Sequence, residues 1–452
     1  MSQCFDLVPK VIMGKHTWDY GAVLLLFSAP LLFLQWMGKK KKTSKSGIGN
    51  VYMTLLSIFI IWLIFCLLYS LLFYQYPVLN TLKMARQMVI GYFSFFIFTY
   101  LFYLDEKAFE TFIKWLYVIT FLLLLVVLVQ AVLGRPLLFG LHRNYGSVSR
   151  YLPGFLPISL FYLWNIQSRF FAGERVKLHE LAYSGLVLIT TILTYTRGYY
   201  FTVPCIFSIM IFLLLLKKRL RFSKLVIISL LSFICLSIAI ASGAGDRMIQ
   251  RASSGVEILL YGRSSSKLDE NTFTGRLMLL NERIQIVSRH NPIVGYGFIH
   301  ESDIPFEFRR KLKYGSVIYL PEMIKKYEQG SPYVLALFSA DIGWANIVLS
   351  TGLAGFILFI LFLVTFFFSY RGNTISDPRY YHFYLAFYLQ MVTLVLLMFN
   401  GSPFTMTPHI PAFMLAGYLH CSMHKTNDHA DSPIIKKEDC FHNENYNYHS
   451  VL

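Results

Sequence analysis

Arg143, Arg197, Arg276 and Asp341 are the side chains whose type and setting allow chemistry in a mostly apolar chain. Arg143 sits in His142-Arg143-Asn144-Tyr145-Gly146, ahead of Pro153-Gly154. Arg197 lies in Thr196-Arg197-Gly198, where Gly198 allows close backbone approach. Arg276 lies in Gly275-Arg276-Leu277, and Asp341 opens Asp341-Ile342-Gly343-Trp344, with Gly352-Leu353-Ala354-Gly355 further on. A carboxylate at a helix start either accepts a proton in catalysis or accepts hydrogen bonds from the free amides of the helix as a cap. An arginine at a membrane boundary either meets an anion or snorkels to water. The glycines after Asp341 also suit close helix packing. Spacing alone leaves each pair of readings open.

A fifth feature is the turn Gly295-Tyr296-Gly297 in Ile293-Val294-Gly295-Tyr296-Gly297. Its form is that of a potassium-channel filter, in which backbone carbonyls replace hydration water. A filter needs an apolar pore helix before it, whereas Asn281-Glu282-Arg283 and Arg289-His290-Asn291 stand there, which excludes the reading. Residues Thr274–Arg289 carry Leu277, Leu280, Ile284 and Val287 at helical spacing, so an amphipathic helix is expected. Arg276 and Arg283 fall on one side of it, and the plainest expectation is that both meet water or lipid phosphate. His290-Asn291-Pro292 ends that helix.

These residues must be positioned by a membrane bundle. The chain has 452 residues, 56% hydrophobic and only 14% charged, whereas soluble proteins carry roughly a quarter charged residues. Apolar runs long enough to cross a hydrocarbon core as helices recur throughout. Eleven are expected: Tyr20–Met37, Val51–Phe73, Met88–Leu104, Phe112–Leu133, Tyr151–Asn165, Leu181–Thr196, Tyr199–Leu216, Leu225–Ala241, Ile342–Ser369, Tyr381–Phe399 and Ile410–Ser422. The fold class is therefore an all-α polytopic bundle. Residues 1–241 hold the first eight helices, 242–340 one large extramembrane segment, 341–423 the last three, and 424–452 a polar tail that reads as disordered.

The net charge of +17 is a matter of topology before it is one of partners. Alternate connections, led by Lys39–Lys42 and by Lys217, Lys218, Arg219, Arg221 and Lys224, carry 20 Lys/Arg against 8 in the others. The positive-inside bias makes the first group cytoplasmic and places the N-terminus and residues 242–340 outside. Most of the charge then faces an anionic inner leaflet, and nucleic acid is not expected as a partner. No cleavable signal peptide is apparent at Met1–Lys15. No cysteine falls within 242–340, so no disulfide framework is expected there, and no CxxC or HExxH marks a metal site.

In this order the motifs resemble the O-antigen polymerase and ligase superfamily of bacterial envelope glycosyltransferases, over about residues 85–420. Four places carry it: Arg143–Gly146, Thr196-Arg197-Gly198, Gly275-Arg276-Leu277 through Pro292–Gly297, and Asp341 with Gly352–Gly355. Ligases of that superfamily typically place a His-Asn pair where this chain has Asp341-Ile342, and the Asp-x-Gly form is more like the polymerase branch. The resemblance implies transfer of a glycan from polyprenyl pyrophosphate to a sugar hydroxyl at the outer face of the inner membrane. It implies Arg197, Arg276 and Arg143 as the pyrophosphate clamp, Asp341 as proton acceptor or acceptor-orienting group, and Gly295-Tyr296-Gly297 as a substrate loop. It implies neither metal nor other cofactor. Lipid-linked oligosaccharide, membrane lipids and a chain-length regulator are the expected partners. Tyr296, Phe298, Tyr314, Tyr319, Tyr327 and Tyr333 are candidates to stack on sugar rings. A ligase with a different acceptor, and a transporter or flippase of lipid-linked sugar, are the rival readings. The transporter is disfavoured because the polar residues gather at outer helix ends and not at mid-span.

Overall fold

The computed structural model describes residues 51–221 and 273–401 except 105, 136, 139–140, 146–147, 195, 316, 320–332, 339–341, 374–380 and 400, together with 11–12, 15–16, 223, 413 and 415. Ten α-helices occur among them: α1 (Val51–Leu72), α2 (Val78–Leu104), α3 (Glu106–Leu133), α4 (Leu156–Ala172), α5 (Leu178–Leu193), α6 (Arg197–Leu216), α7 (Phe273–His290), α8 (Phe306–Arg309), α9 (Gly343–Asn373) and α10 (Tyr381–Leu397). Three antiparallel hairpins supplement them: β1 (Val11–Ile12) with β2 (Lys15–His16), β3 (Leu141–Tyr145) with β4 (Val148–Leu152), and β5 (Val317–Tyr319) with β6 (Tyr333–Leu335). An all-α expectation thus holds for the bundle, while the connections add short strands.

Among the described residues four stretches are long and apolar enough to cross a membrane, Val51–Leu72, Thr111–Leu133, Gly198–Leu216 and Gly343–Phe368. α1 shows how such a helix packs. It is apolar all round, yet Tyr52, Leu56, Phe59, Leu63, Cys66 and Ser70 are buried in one stripe while Ile61 is 64% exposed on the other side. Lipid replaces water as the solvent of the exposed face, so packing complementarity and not hydropathy selects the inner one. The stripe lies against α9, with Phe59 against Phe359 and Tyr52 edge-on to Phe366. A second pairing joins α4 to α10, where the Gln390 amide donates to the Pro157 carbonyl and Phe161 meets Phe383 edge-on.

Several expected boundaries shift for local reasons. α2 begins ten residues before the expected Met88, because its polar head remains helical and Asn80 is held by a carboxylate outside the bundle. The span expected at Tyr151–Asn165 begins at Leu156 and runs to Ala172, because Tyr151 and Leu152 pair in the hairpin β3–β4 and Pro153 separates them from the helix. The turn expected between the spans Leu181–Thr196 and Tyr199–Leu216 comes earlier, between the end of α5 at Leu193 and Arg197, which opens α6. Thr194 and Thr196 hold that turn, the Thr196 N–H donating to Thr194 Oγ1 at 3.2 Å. Spans expected at Tyr20–Met37 and Leu225–Ala241, and the tail, lie outside the described residues; of Ile410–Ser422 only residues 413 and 415 are described.

Helix ends sort into two groups. At one end, Ser70 of α1 and the head of α2 meet the segment after α7, Phe298 N–H donating to Ser70 Oγ and Asn80 Nδ2 to Asp303 Oδ1, both at 3.0 Å, while the start of α9 meets the end of α10, Gly343 N–H donating to the Met398 and Gly401 carbonyls. At the other end the basic connections 165–180 and 217–224 converge. There Arg169 pairs with the fully buried Glu180 at 2.8 Å, Glu174 with His382 at 3.0 Å, and the Arg219 guanidinium lies 4.2 Å from the Tyr381 ring centroid.

Candidate active site

α9 is a single element by hydrogen bonding but not by backbone angle. Gly352 adopts φ 67° and ψ −174°, a conformation closed to a side chain, and divides the helix nine residues after its start. Such a break strands carbonyls before it and amides after it inside apolar surroundings, where each unsatisfied group costs several kcal/mol. The segment after α7 fills the gap. Leu353 N–H donates to the Pro292 carbonyl at 2.8 Å, and Tyr296 N–H donates to the Leu349 carbonyl at 2.8 Å. From the other side Trp62 Nε1–H donates to the Thr351 carbonyl at 2.9 Å.

Glycines make the approach possible. A Cβ on Gly295 would stand 2.6 Å from the Leu349 carbonyl oxygen, one on Gly352 would strike the Ile293 backbone, and one on Gly297 would strike Ser70 Oγ. The residues just after α1 complete the joint: the Tyr74 hydroxyl donates to the Gly295 carbonyl at 2.7 Å and accepts from Asn291 Nδ2 at 3.1 Å. Asn291 Oδ1 also accepts the Ile293 and Val294 amides, which shapes the turn. Two sequence features 55 positions apart, Gly297 and Gly352, therefore belong to one joint.

Its surface is aromatic. The Tyr296 ring stacks on His290 with centroids 4.2 Å apart, and His290 also meets Tyr74 at 5.5 Å. Partial burial pushes the Tyr296 phenol up to about 12, so it remains a hydrogen-bond donor at neutral pH. Burial also lowers His290 below its ordinary 6.5, which keeps the imidazole neutral at pH 7.

The sequence-based site residues fall as follows. Arg276 is partly buried in the first turn of α7. Arg197 is the first residue of α6, and Arg143 is central in β3, opposite Arg150; the side chains of both lie outside those described. Asp341 lies outside the described residues, two positions before α9 begins at Gly343, so the N-cap position falls on Ile342. Helix order and contacts bring the hairpin β3–β4, the connection between α5 and α6, the joint after α7 and the start of α9 to the same end of the bundle.

Arg283 departs from expectation. It meets neither water nor lipid: it is 0% exposed, and its guanidinium donates to the carbonyls of Leu337 at 2.9 Å, Tyr314 at 2.6 Å and Ala336 at 3.1 Å, with Glu282 at 2.5 Å. Burial pulls it below the usual guanidinium value, and the Glu282 carboxylate opposes that pull. Arg309, Ser70, Tyr74 and Trp62 are further residues that sequence reasoning did not single out. Adjacent opposite charges at Glu282-Arg283 on a helix face were the one available signal. Nothing in the local sequence of Trp62 points to a partner 289 residues away. Among the described residues no group of three His, Cys, Asp or Glu side chains is placed to hold a metal ion.

Residues 182–360 match a family model described as Wzy_C, O-antigen ligase. No curated protein matches the chain.

Proposed function

We propose, for a chain that residues 182–360 place in the O-antigen ligase and polymerase superfamily, that it is the polymerase of a surface polysaccharide. In this reading it moves the growing glycan from one polyprenyl pyrophosphate to the terminal sugar of another lipid-linked repeat. The reaction occurs at the outer face of the bacterial inner membrane, with residues 242–340 outside and the C-terminus inside. The acceptor hydroxyl attacks the anomeric carbon, the bond from that carbon to the pyrophosphate oxygen breaks, and the bonding pair leaves with the polyprenyl pyrophosphate. Asp341 takes the hydroxyl proton. Arg197 and Arg276, with Arg143, meet the charge that grows on the leaving group, an interaction that strengthens toward the transition state. Tyr296 and its neighbouring turn contribute to the substrate-facing wall.

The observation that carries this reading is the joint at Gly352. It ties the helix of Arg276 to the helix that follows Asp341 through Pro292–Tyr296, so two motifs of the superfamily act as one body. The ligase reading has its own support, since the matching family model is described as a ligase. Gel analysis of surface polysaccharide in cells lacking the native gene separates the two. A polymerase variant lacking Asp341 leaves single repeats attached to the surface acceptor, whereas a ligase variant leaves full-length chains on the lipid carrier.

A further inference from the structure

Beside the joint, rings from three stretches of chain meet. Tyr74 lies 5.3 Å from Tyr76 and 5.5 Å from His290, and Tyr296 lies 5.7 Å from Phe308, centroid to centroid. Tyr76, Tyr296 and Phe308 pack on a buried cluster that contains Ile299 and Ile304, and are themselves only partly buried. Burial, and next the neighbouring Tyr74 and Tyr296 phenols, raise the Tyr76 phenol above its ordinary value, so three hydroxyls share one patch. The joint uses only one of them. Tyr74 is engaged by Gly295 and Asn291, whereas the Tyr76 and Tyr296 hydroxyls have no hydrogen-bond partner among the described residues and stay accessible.

The patch has a polar border. Asp303, next to Ile304, accepts from Asn80 Nδ2 at 3.0 Å on each carboxylate oxygen and from Ser302 Oγ at 3.0 Å on Oδ1. A carboxylate has about four acceptor sites, so one on Oδ2 stays open. Asn80, four residues beyond Tyr76, has an Oδ1 that accepts from no described group, and both Asn80 and Asp303 are partly exposed. Packing or an interfacial belt accounts for the rings alone. A carboxylate and an amide beside them suit a pyranose, which offers C–H bonds on its face and hydroxyls at its edge. The same carboxylate repels phosphate, so a lipid headgroup does not fit.

We propose that Tyr76, Tyr296, Asn80 and Asp303 form a glycan subsite that holds a pyranose ring of the lipid-linked repeat. This rests on the reading of the chain as a transferase of lipid-linked glycan, and not on the role of Asp341. The test uses the full chain in detergent micelles and equilibrium binding of two radiolabelled lipids. One is the lipid-linked repeat unit from cells lacking the gene, the other polyprenyl pyrophosphate without sugar. Tyr76→Phe and Tyr296→Phe remove one oxygen each and keep the ring. Each raises Kd for the sugar-bearing lipid about threefold to tenfold, the scale of one neutral hydrogen bond. Asp303→Asn still offers Asn80 an acceptor, and raises that Kd about tenfold or more. All three leave Kd for the bare lipid and the thermal midpoint close to wild type. Equal weakening of both lipids marks a packing role and overturns the subsite, as does unchanged binding in all three variants. Tyr76→Phe carries the test if Asp303→Asn fails to insert. A wild-type protein that binds both lipids equally overturns the subsite but keeps the lipid-linked donor; one that binds neither removes the transferase reading, and the inference with it.

Discussion

Asp341 and the three arginines have different replacements that report on them. The N-cap position of α9 falls on Ile342, and the Gly343 amide donates to the Met398 and Gly401 carbonyls. Asp341→Asn is expected to express normally and to lose about 10²–10⁴-fold in rate, the usual scale for removing a general base. Gel ladders normalised to membrane protein level measure this, and wild-type ladders would reduce the residue to structure. Arg197→Ala and Arg276→Ala should each abolish polymer in protein that still inserts, and lysine should recover little, since a point charge does not reproduce a bidentate fork. Normal chain length in both alanine variants would make them interface arginines. His290 gives a pH test. Its folded pKa lies below its ordinary 6.5, so protonation favours the unfolded form: its contribution is present above 6.5 and is lost as pH falls from there through the folded value. Thermal midpoints between pH 7.5 and 5 should fall less steeply in His290→Gln than in wild type.

Helices were legible from apolar run length, but their interruptions and buried faces were not. The Gly352–Gly355 motif was visible as a packing motif, yet the run Gly343–Phe368 is apolar throughout, so nothing in hydropathy marks a break at Gly352. The head of α2 was hidden for the opposite reason. Asn80, Lys83 and Arg86 lower the apolar signal, although the backbone stays helical and Asn80 gains two 3.0 Å bonds to Asp303. On α7 the period of apolar residues identified the helix correctly, but a period does not say what packs on the flanks, and Arg283 turned inward. Of the candidate site, the motifs and their places in the helix order were readable; the joint was not, because its partners come from three distant stretches. The element-scale prediction concerns that joint. Gly352→Ala places a Cβ into the Ile293 backbone at φ 67° and ψ −174°, a region essentially confined to glycine, costing about 1–3 kcal/mol in backbone strain alone. It should raise the rate of proteolysis at residues 291–297 and reduce polymer, whereas Gly134→Ala, also at positive φ but in open space, should cost the strain and no polymer.

At the scale of the whole molecule, the two groups of helix ends separate the end where the basic connections gather from the end that carries the joint. The basic connections 165–180 and 217–224 share the first end, where Arg221 N–H donates to the Phe171 carbonyl at 2.9 Å. The orientation reading puts that end in the cytoplasm, so a single cysteine at Ser223 should react only from inside and one at Ser265 from outside. The reverse pattern would remove the site from the compartment where lipid-linked glycans are polymerised. The indole bond between Trp62 and Thr351 sets a further condition, one of time. The two residues are 289 positions apart, and a ribosome adding ~5–20 residues per second needs about 15–60 s to travel between them. Over that interval α1 is already made while the carbonyl that receives its indole is not. Its packing stripe, Tyr52 to Ser70, must wait in the lipid or beside the insertion machinery until Thr351, in the last third of the chain, has been delivered.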